Sequence, residues 1–168
     1  EIDAAGRQTR FAYDRLGRLL SIADADGVST WKWDGGEHDA PDDRPIGRLS
    51  SETGGAGHTV DSFYDHLGRL RRRELFLLTG VPEIPHQLDF DFAYDAHGRM
   101  SRVTYPGPGR FGPERFEVEY VHDDWGNVKR VRDFVPSEDF FGARRYWTAL
   151  EMDADGVVTS ELFGNGAL

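Results

Sequence analysis

"LDFDFAYDAHGRMSRVTY", residues 88–105, sets two alternating runs on either side of a short polar step. In the first run Leu88, Phe90, Phe92 and Tyr94 face one way, and Asp89, Asp91 and Ala93 the other. A period of two with one apolar face predicts a half-buried antiparallel strand. In the step between the runs, Gly98 follows Asp95 by three residues. Asp at the first position of a turn caps its own backbone, and a Gly three residues on accepts positive φ without a Cβ clash. A type I turn closed by a left-handed Gly joins antiparallel strands. The stretch therefore reads as strand, corner, strand.

The unit returns along the chain. "FAYDRLGRL" (11–19), "SFYDHLGRL" (62–70) and "FAYDAHGRM" (92–100) are near copies, and "HDDWGNV" (122–128) and "MDADGVV" (152–158) are weaker ones. The Asp-to-Gly spacing occurs at Asp3–Gly6, Asp14–Gly17, Asp24–Gly27, Asp65–Gly68, Asp95–Gly98, Asp123–Gly126 and Asp153–Gly156. Alternating runs flank these corners, as in "TRFAY" (9–13), "TWKW" (30–33) and "FEVEY" (116–120). The prediction is an all-β chain of consecutive antiparallel hairpins, a single segment over residues 1–168. Pro/Gly-rich stretches place inserted loops at about 35–46, 79–87 and 106–113, where no central strand continues.

Each motif position carries an expected role. Asp14, Asp65, Asp95, Asp123 and Asp153 are turn caps, and Gly17, Gly68, Gly98, Gly126 and Gly156 are the left-handed residues. Tyr13, Tyr64 and Tyr94 are expected to pack on the equivalent aromatic of the neighbouring repeat. Arg18, Arg69 and Arg99 are expected to reach the Asp of an adjacent corner.

Composition narrows the chemistry. The 168 residues carry a formal charge of −10 with no dominant basic face, which argues against a nucleic-acid partner. The cluster Arg71-Arg72-Arg73 is read as a solvated strand entrance. No Cys is present, so disulfides, thiolate metal sites and cysteine nucleophiles are excluded. No apolar run is long enough to span a membrane. The opening "EIDAAGRQ" has neither an initiator Met nor a signal-like run, so the stretch is expected to belong to a longer chain with any targeting signal outside it.

Sharper chemistry finds little support. "ADADG" (23–27) and "MDADG" (152–156) echo part of a calcium loop, but the implied first and twelfth ligands fall on Ile22 and Trp33, or on Glu151 and Leu162. The six His are scattered, and no nucleophile elbow, phosphate loop or His pair appears. The expectation is a non-enzyme without metal or cofactor. The rival is a carbohydrate-binding or adhesion module, with Trp125 and Trp147 as stacking faces for glycans.

The motifs "YDRLGRL", "YDHLGRL" and "YDAHGRM", followed by the ordered series from "VTYPGPGRF" to the closing "FGNG" (163–166), resemble the YD repeats of RHS proteins, Tc-toxin C components and teneurins. The resemblance implies a curved, spiralling sheet that forms part of a larger shell. It also implies a secreted or cell-surface role in a bacterial toxin-like protein, with neighbouring repeats and an enclosed C-terminal toxin or effector domain as partners. That family's cleavage segment is rich in Asp-Pro. No Asp-Pro pair occurs here, so neither cleavage nor toxicity is assigned to these residues. A segment with two open sheet edges is expected to self-associate when isolated.

Overall fold

A computed structural model of the chain describes residues 2–4, 6–35, 43–77, 87–107, 115–134 and 144–167. Twelve strands follow one another: β1 (Arg10–Tyr13), β2 (Leu19–Asp24), β3 (Gly27–Trp33), β4 (Leu49–Thr53), β5 (Thr59–Tyr64), β6 (Leu70–Phe76), β7 (Gln87–Tyr94), β8 (Met100–Thr104), β9 (Glu117–His122), β10 (Val128–Asp133), β11 (Arg145–Met152) and β12 (Val158–Phe163). They lie in one open antiparallel meander in which every strand neighbours its sequence neighbours. No helix occurs among the described residues.

The strands fall where period-2 patterning puts them. Of the inserted loops, residues 36–42, 79–86 and 108–113 lie outside the described residues, while Gln87 already opens β7. The described residues divide into two compact units, one ending at Phe90 and the other beginning at Asp91.

In the second unit, register sorts the residues into two chemically distinct faces. Phe92 opposes Val103, which opposes Val118, and in the adjoining rows Tyr120 opposes Val131, which opposes Trp147. Directly opposed side chains share a face, so this face is apolar. Val103 and Val118 are 4% and 6% exposed. On the other face Arg102 opposes Glu119, which opposes Arg132, with Arg132 Nε donating to Glu119 Oε2 at 2.6 Å. The Arg102 guanidinium also lies 4.2 Å from the centroid of Phe134.

In the first unit the cluster Arg71-Arg72-Arg73 stands within β6, and this corrects its reading as a solvated strand entrance. Arg71 makes a two-point contact with the buried carboxylate of Asp43, at 3.0 and 3.1 Å. Arg72 bridges Glu74 and Asp89. Apart from Glu74, which adjoins the cluster in sequence, these carboxylates reach it only through strand register and the β3–β4 connection.

The core is thin. Phe63, Val103, Val118 and Ala149 are the buried apolar side chains among the described residues, and none is fully enclosed. A one-layer sheet has only its own neighbouring strands to pack against, so stability depends on cross-strand rows rather than on a central cluster. Truncating the best-covered row, as Val118→Ala, is expected to lower unfolding free energy by about 1–2 kcal/mol. Urea denaturation should show this as a lower midpoint at unchanged slope, whereas Val157→Ala, exposed at a corner, should move it little.

Candidate functional site in the turn corners

At the β1–β2 corner the chain closes within five residues. Asp14 N–H donates to Arg18 O at 2.9 Å, and Gly17 N–H to Asp14 O at 3.1 Å. Asp14 Oδ1 accepts the N–H groups of Leu16 and Arg18, and Arg18 Nε donates to Asp14 Oδ2 at 2.6 Å. One carboxylate thus ties three donors, and Gly17, at φ 78°, makes the left-handed step that turns the chain back. Tyr13 then opposes Leu19 across a bulge and closes the base of the corner.

That geometry accounts for the whole motif, and the other copies share it. Tyr64 opposes Leu70 and Tyr94 opposes Met100, while in the weaker copies His122 opposes Val128 and Met152 opposes Val158. Asp65, Asp95, Asp123 and Asp153 each cap the N–H groups two and four residues on. Gly68, Gly98, Gly126 and Gly156 all have φ between 74° and 96°.

The arginines do more than expected, and the packing of Tyr64 differs from the expected one. Arg18, Arg69 and Arg99 bind the Asp of their own corner, at 2.6, 2.7 and 2.7 Å. The turn brings the residue after Gly back beside the Asp, so the nearest carboxylate is the local one. The expected reach to an adjacent corner is present as well: Arg18 forks onto Asp34, the acid of the β3–β4 corner, at 2.9 and 2.6 Å, and Arg99 Nη1 reaches the Asp123 carbonyl at 3.3 Å. Tyr64 packs beneath a cation rather than on an aromatic: Arg48 lies 5.4 Å from its ring centroid, and its hydroxyl donates to Leu49 O at 2.7 Å. Tyr13 is 58% exposed.

Successive corners also touch within each unit. At three corners the side chain after one corner Gly covers the next corner Gly. A Cβ on Gly68 would stand 3.0 Å from the Arg48 guanidinium, and one on Gly126 3.5 Å from Arg99 Nη1. At Gly156 the corresponding distance is 2.8 Å, to Asn127 Oδ1.

Some corners escaped the sequence pattern. The β3–β4 connection is the same corner with an insertion: Trp33 opposes Leu49, Asp34 N–H donates to Arg48 O, and Gly47 has φ 77°. Gly54–Gly57 and Phe163–Gly166 close with the same backbone bonds but without Asp. At Gly54 the His58 imidazole stands where a side chain would start, 2.1 Å from an ideal Cβ. The fourth-position Gly was the available signal. Conversely, Asp24–Gly27 is a different turn despite its spacing: Asp24 and Gly27 are themselves cross-strand partners around a two-residue loop.

Asp14, Asp34, Asp65, Asp95 and Asp123 are held below the usual carboxylate range. Partial desolvation works to raise Asp95, but the backbone N–H and guanidinium of Arg99 and the N–H of His97 outweigh it and hold its pKa at about 2. Asp34 is likewise held at about 2, by Arg18 first and then by the N–H of Gly47. Of the tryptophans proposed as stacking faces, Trp125 is 86% exposed at the tip of its corner. Trp147 is half-buried in β11, and its Nε1–H donates to Glu161 Oε2 at 2.5 Å. Among the described residues no cluster of acids and histidines is arranged to hold a metal.

Two outcomes follow. Gly17→Ala meets no atom within 4 Å of the new Cβ, so its cost is the left-handed backbone alone, about 1–2 kcal/mol. Gly17→Asn should lose clearly less in the same urea titration. For Asp95, the folded carboxyl releases its proton more readily than the unfolded one. Its stabilisation is therefore in place above about pH 4 and is lost as pH falls toward 2. A carboxyl-carbon NMR titration should place the Asp95 midpoint near 2, and Arg99→Gln should move it upward.

No curated protein matches the chain. The RHS repeat family model, in contrast, matches residues 1–35, which span the corner at Asp14–Gly17 and strands β1 to β3, and the chain thus carries an RHS repeat in that stretch.

Proposed function

We propose that the chain is a non-catalytic wall segment of a larger RHS-type shell, secreted or displayed at a bacterial surface, that encloses or presents a C-terminal toxin or effector domain. The observation that carries this is the meander itself: twelve strands joined in sequence order, with β1 and β12 each leaving one side open to a further strand. Such a sheet extends by adding hairpins, each satisfying the edge of the last, which is how repeat arrays grow. The thin core fits a wall, whose stability is distributed along its length. The RHS repeat at residues 1–35 supports the same reading.

The test is made on the parent protein purified intact. Electron microscopy should show a hollow particle, and protease should spare a C-terminal domain until the particle is disrupted. A solid globule, or a C-terminal domain cut as fast in the intact particle as in the disrupted one, would overturn the enclosing role.

A further inference from the structure

The corner carboxylates differ in what their second oxygen meets. Oδ2 of Asp3, Asp14, Asp65 and Asp95 takes the guanidinium Nε of the Arg that follows the corner Gly. Oδ2 of Asp123 takes the side-chain amide of Asn127. At the β11–β12 corner that position is Val157, 60% exposed. Asp153 Oδ1 still caps Asp155 and Val157, but its Oδ2 meets no donor among the described residues. This corner acid is itself exposed, unlike Asp14, Asp65 and Asp95, which their arginines cover.

Asp153 lines a cleft of about 520 Å³ between two corners of the second unit. Asp123, Trp125 and Asn127 line it from one corner, and Asp153, Asp155 and Gly156 from the other. Among the described residues no basic side chain lines it. Trp125 offers an indole free of neighbours over most of its surface.

The molecule holds a filled version of this set. The Arg18 guanidinium sits 5.2 Å from the centroid of Trp33, with Nε on Asp14 and both terminal nitrogens on Asp34. One indole and two carboxylates thus surround one guanidinium. The cleft repeats the indole and the two carboxylates, as Trp125, Asp153 and Asp155, and lacks the cation.

We infer that this cleft binds an arginine side chain of a partner polypeptide. A guanidinium is planar, weakly hydrated and forked, so it stacks on an indole while its N–H groups bond carboxylates. Lysine offers a point charge without the fork and binds less well. The chain's charge of −10 favours a basic partner in approach as well as in contact.

The test uses the ¹⁵N-labelled 168-residue chain and the indole N–H signal of Trp125. Acetyl-Gly-Arg-Gly-amide should shift that signal saturably, acetyl-Gly-Lys-Gly-amide more weakly, and acetyl-Gly-Gln-Gly-amide not at all. Trp125→Ala, followed through the Gly156 amide, and Asp153→Asn should each weaken binding about tenfold. Val157→Arg supplies a guanidinium from within the corner. It should abolish peptide binding while leaving the rest of the spectrum in place, which separates an occupied site from an unfolded one. An equal response to the Gln peptide, or undiminished binding by Val157→Arg, overturns the inference. So does a saturable response to maltopentaose with none to the arginine peptide, which would make the cleft a sugar site.

Discussion

At the motif corners a single carboxylate braces the turn geometry on which the sheet depends. In water an isolated two-strand hairpin is marginal, and the descending and returning strands must be aligned before they can pair. Asp14 does this by receiving two backbone N–H groups on one oxygen and a guanidinium on the other. The corner is fixed by short-range bonds within five residues, and the pairing of Tyr13 with Leu19 follows from it. Once that first pair is set, the side-chain alternation of both strands is set with it, because a slip of one residue would turn every side chain to the wrong face.

The roles of the motif residues are separable. Gly is the constant element, present at Gly47, Gly57 and Gly166 where the pattern is otherwise incomplete. Asp is replaceable, as Gly54 and Phe163 show, since the two backbone bonds of the turn form without it. Arg does two things: it neutralises its own Asp, and in places it reaches over the next corner, as Arg99 does toward Gly126. Charge in this acidic chain is therefore spent locally at the corners and across one sheet face, as in the row Arg102, Glu119 and Arg132.

How far the sequence could be read follows from the range of each interaction. The strands and the five-residue corners were legible in Asp95, Gly98 and the alternation of residues 88–94, because those signals are local. The corner at Asp24–Gly27 joins two strands as its spacing implies but with a tighter loop, since spacing alone does not distinguish a three-residue loop from a two-residue one. The pairing of Arg71 with Asp43 was beyond reach, because their 28-residue separation is bridged only by the finished register. The incomplete corner at Asp153 was visible as a Val after Gly156, but its consequence needed the neighbouring Trp125 in place beside it.

The order of strands bears on how such a chain is built. Each strand pairs only with those immediately before and after it, so no segment waits for a partner made much later. The search for native contacts stays short-range, which favours fast, progressive folding over a single late collapse. A chain delivered from one end, by a ribosome or through a pore, can therefore set its hairpins in the order in which they arrive. The longest described pause falls between Trp33 and Leu49, where the corner closes only after an insertion has passed. Length is then limited by delivery rather than by the difficulty of finding a distant mate.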